Sequence, residues 1–95
     1  MISVLITPHL IRMEGHASEY ASQDGNLVCA AVSALTCTLI NALQELSKDR
    51  ITAQTESGRT IVEWQTLSDT GKHFVDAWFL GMMAIDENYH CIRFT

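Results

Sequence analysis

Apolar and polar positions follow two periods along this chain, and the switches between them predict its elements. Residues 2–7, rich in Ile, Val and Leu, read as a first strand that Pro8 and His9 break. Residues 10–14 alternate imperfectly and read as a second strand running into Gly15. Residues 17–25 show no apolar period. They hold Ser18, Ser22, Gln23, Asp24 and Gly25, the composition of a loop. Val28, Val32, Leu35, Leu39 and Leu43 then recur at helical spacing. That spacing predicts a helix over 27–47, capped by Asp24 or Asn26. Its polar residues gather only at the far end, so the helix is expected to be buried on most sides. Residues 51–56 and 59–65 alternate on either side of Ser57-Gly58, which predicts a β-hairpin. Ser68 or Asp69 caps a second helix reaching about residue 86, with Phe74, Val75, Trp78, Phe79, Met82, Met83 and Ile85 on a wide apolar face. Residues 91–94 form a short closing strand. The order is β-β-α-β-β-α-β. It predicts a small single domain over 1–95 of the α+β class, a mixed sheet packed with two helices.

Composition agrees with a folded domain and narrows the function. Ninety-five residues, 47% of them apolar and 18% charged, suffice for one core. The net charge of −5 argues against a sequence-independent phosphate binder, so no direct nucleic-acid partner is expected. An acidic surface instead suits a basic peptide. No transmembrane run or cleavable signal stands out, since MISVLIT lacks a basic leader and meets Pro8 at once. No membrane partner is expected, and the chain reads as cytoplasmic. Three cysteines, an odd number, fit a reducing compartment better than a disulfide framework. No cofactor is implied. His90 and Cys91 could be combined with His16 and Cys29, but no pair has the close spacing of a zinc site.

The candidate chemistry lies in residues 15–35, GHASEYASQDGNLVCAAVSAL. The predicted helix places Cys29 in its first turn, where the helix dipole favours a thiolate. His16 could serve as general base, with Gly15 giving the backbone freedom and Ala17 leaving space. His16 could equally be a structural histidine, and Cys29 a small buried hydrophobe. Cys37, among Leu35, Thr36 and Leu39, fits that second description. N–H groups around Cys29 and Ala30 would suit an oxyanion hole. Ser33, one turn after Cys29, either bonds back to a carbonyl or supports the site wall. Asn26 reads as a cap that could also touch the site.

The string is more specific than the pair. Gly15-His16-Ala17, a polar loop, then Leu27 through Leu35 resembles the ribosomal-processing cysteine proteases, the Prp family. The resemblance implies a catalytic dyad of His16 and Cys29. It also implies removal of an N-terminal extension from the twenty-seventh large-subunit ribosomal protein, and a homodimer. The apolar face of the second helix, Trp78, Phe79, Met82 and Met83, would fit a dimer interface. Two departures stand out: Asn26 occupies a position where the family usually carries Asp, and the segment before Gly15 is short. The first leaves open a non-catalytic paralogue that grips a peptide or ribosomal protein. A phage-type relative acting on a capsid protein would share the same motif. The substrate is expected to lie across Ser18, Glu19, Tyr20, Gln23 and Asp24, in a loop that orders on binding.

Overall fold

The computed structural model describes residues 1–16 and 22–95, and the side chains of 22–25 lie outside that description. Five strands and two helices follow in the expected order. Strand β1 (Ile2–Ile6) pairs antiparallel with β2 (Leu10–Gly15), with Ile2 opposite Gly15 and Ile6 opposite Ile11. Helix α1 covers Ser22–Glu45. The hairpin of β3 (Ile51–Glu56) and β4 (Arg59–Trp64) turns at Ser57-Gly58. Helix α2 covers Asp69–Tyr89, and β5 (Ile92–Phe94) returns parallel to β1. The sheet order is β3-β4-β2-β1-β5.

Strand alternation decides which sheet face is buried. Ile2 and Val4 on β1, Ile11 and Met13 on β2, Val62 and Trp64 on β4, and Ile92 on β5 point to one side and are buried. Their neighbours Arg12, Glu14, Glu63 and Arg93 are exposed on the other side, the division expected of a largely antiparallel sheet with one wet face. Both helices cover the dry face, supplying Val28, Val32, Leu39, Ile40 and Leu43 from α1 and Trp78 and Met82 from α2. The Trp78 indole N–H donates to Thr36 Oγ1 at 3.2 Å, and the Thr36 hydroxyl in turn approaches Met13 Sδ at 3.9 Å. One buried polar chain thus ties α2, α1 and β2 together, so the only buried polar side chain of the described core is satisfied.

Helix α1 departs from the sequence expectation in three ways. It begins at Ser22 rather than near 27, so Gly25 and Asn26 lie inside it and Asn26 is not its cap. A glycine costs a helix interior about 1 kcal/mol relative to alanine, too little to stop one anchored by Val28 and Val32. Residues 22–25 are therefore helical rather than loop. The helix is also not buried on most sides: Leu27, Ala30, Ala34, Cys37 and Thr38 are exposed. It leans on the sheet and on α2 but leaves a third face open. Finally, Asn26–Glu45 does have the length and apolarity of a membrane span. Here that apolarity packs on the sheet and on α2 through Val28, Val32, Leu39, Ile40 and Leu43.

Helix α2 starts where expected. Ser68 is its N-cap, with Oγ accepting from Gly71 N at 3.1 Å. Asp49 holds that cap in place by accepting from Ser68 N at 2.6 Å and Ser68 Oγ at 2.8 Å. Burial pushes the Asp49 carboxyl up, but the Ser68 and Ser47 hydrogen bonds and the Lys48 charge outweigh it and hold the pKa below the usual carboxylate value. At its far end α2 runs to Tyr89 and stops at His90, in the left-handed conformation (φ 50°), whose N–H bonds Asp86 O at 2.7 Å. Trp78 and Met82 go to the core, and Phe79 meets Phe94 edge-on with ring centroids 5.1 Å apart. Of the wide apolar face, Met83 remains exposed, as does Leu80 outside it.

Candidate active site

A cleft of about 350 Å3 opens between the β3–β4 turn and the exposed face of α1. Ile2, Met13, Val32 and Thr36 form its floor, continuous with the core. Cys29, Ser33 and Cys37 line one wall, Thr55 to Thr60 the other, and Gly15 and His16 close one end.

Each position follows from local geometry. On a helix advancing about 100° per residue, Val32, Cys29, Thr36, Ser33 and Cys37 fall within an arc of about 140°. Cys29 is half-buried, with its side chain against the core, whereas Cys37 is exposed. The expectation that Cys37 is a buried hydrophobe is therefore corrected. Its sequence neighbours Leu35 and Leu39 turn to another face, and only the angle around the helix shows it.

His16 arrives by a different route. Gly15 has φ +107°, and a Cβ there would collide with the Met1 carbonyl oxygen, so only glycine ends β2 in this way. Gly15 N donates to Gly58 O at 2.9 Å, and His16 O accepts from the Met1 α-ammonium at 2.9 Å. The backbone on both sides of His16 is thus pinned, and its imidazole lies against Gly58 in the opposite turn.

The structure brings four of the expected residues, Gly15, His16, Cys29 and Ser33, to this one cleft. Asn26 is exposed and is not part of its lining. Ser18, Glu19 and Tyr20 lie outside the described residues. Gln23 and Asp24 have helical backbone, and their side chains lie outside the description. The ordering loop expected over 18–25 accordingly falls partly outside the described residues and partly within α1. The helix-terminal oxyanion hole is corrected too. Cys29 is the eighth residue from Ser22, so its N–H and that of Ala30 belong to the interior hydrogen-bond ladder. Missing from the sequence reading were Thr36 and the hairpin residues from Thr55 to Thr60, read only as a connection between strands. Cys91 is buried behind the site; burial, the Asp86 carboxylate and the nearby Cys29 push its thiol pKa up. Among the described residues no group of three or more His, Cys, Asp or Glu is placed to hold a metal ion.

A family model described as cysteine protease Prp matches residues 1–92. The chain belongs to that family. It is therefore a cysteine protease, and its fold is shared with solved Prp structures. The essential ribosomal processing protease Prp of Staphylococcus aureus, solved with a covalently linked product peptide, superposes with a TM-score of 0.88 at 25% identity, covering 100% of this chain and 98% of that one. The same S. aureus protease solved with a substrate peptide gives 0.77 at 19%, covering 99% and 95%. The protein SMU.848 of Streptococcus mutans gives 0.77 at 22%, covering 100% and 96%. No curated protein sequence matches this one.

Proposed function

We propose that this Prp-family protein removes the N-terminal extension of the twenty-seventh large-subunit ribosomal protein, with Cys29 as nucleophile and His16 as general base. The observation that carries the reading is the meeting of His16, from the end of β2, with Cys29, from the interior of α1, on one cleft. In this reading His16 takes the Cys29 proton and the thiolate attacks the scissile carbonyl carbon. The tetrahedral adduct collapses to a thioester as the leaving amine takes the proton from His16. Water, activated by His16, then releases the new carboxylate and regenerates the thiol. Ser33 stands one turn beyond Cys29, about 6 Å along the axis, and its hydroxyl is available to orient the substrate carbonyl. The net charge of −5 favours a basic peptide. The S. aureus relatives solved with substrate and product peptides support a peptide in this cleft.

The protein is proposed to act in the cytoplasm as a homodimer. Leu80 and Met83, exposed on α2, support an interface there. Incubating the purified protein with the extended ribosomal protein should give one truncated product, absent with Cys29→Ala and with His16→Ala. Cleavage retained by Cys29→Ala would sink the assignment. Sedimentation showing only monomer at high micromolar concentration would remove the dimer.

A further inference from the structure

We propose that Gly58 is a positioning residue for the His16 imidazole: the β3–β4 turn carries no side chain there, and the ring occupies the space one would fill. This rests on the reading of His16 as the base. An L-configured Cβ on Gly58 would sit 2.5 Å from His16 Nε2 and 3.2 Å from both Cδ2 and Cε1. Those are contacts with the whole distal edge of a planar ring, not with the tip of a flexible chain, so the ring would have to swing away. The same turn also holds the backbone: Gly58 O accepts from the N–H of Gly15, one residue before His16. Gly58 therefore fixes His16 twice, through the chain and through the ring. The Nε2 edge of the imidazole therefore rests against the turn. A turn whose sequence reads as a plain hairpin signal becomes the back wall of the base.

The test must separate ring contact from backbone strain. Gly58 has φ +76°, so any L residue there is strained whatever it touches. D-Alanine suits positive φ and places its methyl on the other hydrogen of Cα, not where the L methyl would meet His16. Chemical ligation of the full 95-residue chain gives both Gly58→Ala and Gly58→D-Ala. Three quantities are read: thermal midpoint, the His16 ring resonances with their NOE to the residue-58 Hα, and iodoacetamide alkylation of Cys29 mapped by peptide mass. Gly58→Ala should shift the ring resonances and slow Cys29 alkylation at neutral pH by roughly tenfold or more. Gly58→D-Ala should keep ring and rate near the parent and raise the midpoint. If Gly58→Ala does not fold, Gly58→Asn, which tolerates positive φ and carries the same Cβ, should show the displaced ring. Unmoved ring resonances in the folded L variant overturn the proposal, as does equal loss of rate in the D and L variants. Unchanged alkylation in His16→Ala would instead overturn the reading of His16 as base, while the ring contact is decided by the NOE alone.

Discussion

Helices α1 and α2 are similar in length and cover the same sheet face, yet their beginnings differ and so do their tasks. The start of α2 is a braced cap: Ser68 accepts from Gly71 N, and Asp49, from the segment after α1, grips Ser68 by two hydrogen bonds. The start of α1 runs through Gly25 and Asn26, and its candidate nucleophile lies about two turns inside. A helix dipole acts mainly within its first turn. Cys29 is beyond that reach, so the proposed mechanism gives its activation to a separate group, His16. The comparison shows two uses of a helix. In α2 the N-terminus itself is the stabilised feature; in α1 the interior is a rigid rail, presenting Cys29, Ser33 and Cys37 to the cleft that His16 enters from the end of β2.

The sharpest way to break this comparison is to remove the proposed dyad. Cys29→Ala should abolish cleavage, and His16→Ala should lower kcat/KM by about 10²–10⁴-fold, both with little change in thermal midpoint. Comparable turnover in His16→Ala would return the activation to the helix. Next in size is Gly15→Ala, which combines positive φ with a clash on the Met1 carbonyl oxygen. It should cost about 1–3 kcal/mol in denaturant unfolding and also lower turnover, because His16 follows directly.

The α2 cap should behave in the opposite way. Ser68→Ala should cost about 1 kcal/mol and leave kcat/KM nearly unchanged. Asp49→Asn should cost on the order of 1 kcal/mol, allowing for solvent screening at a half-exposed carboxylate. Its pH dependence has a definite sign. The folded-state pKa of Asp49 is depressed, so its contribution is present above the unfolded carboxylate pKa and is lost as pH falls through the lower folded value. The gap between parent and Asp49→Asn in unfolding titrations should therefore close in acid and stay constant from pH 6 to 8. The smallest effect is expected for Cys37→Ala. Cys37 lies about 12 Å along the axis from Cys29, and cleavage should stay within about twofold of the parent. A large loss there would mean that the rail presents a different thiol.

Element order and the hairpin were legible because β alternation and the Ser57-Gly58 turn are local signals. So was the start of α2, since Ser68 caps through its own side chain. The start of α1 was not, because Ser22, Gln23, Asp24 and Gly25 have loop propensities that the packing of Val28 and Val32 overrides. His16 and Cys29 were singled out through the motif around them, not through periodicity. Asp49 and Gly58 were missed for one reason: their partners, Ser68 and His16, are far away in sequence, and no local pattern records such a contact. Cys37 was misplaced because burial on a helix follows angle, not adjacency.

The most direct test of the central claim follows iodoacetamide alkylation of Cys29 across pH in the parent and in His16→Ala, with Cys37 in the same protein as internal reference. If the sheet-delivered imidazole activates the thiol, the parent should alkylate Cys29 faster than Cys37, and His16→Ala should lose that excess rate at Cys29 while Cys37 is unchanged. Identical Cys29 profiles in the two proteins would contradict the account.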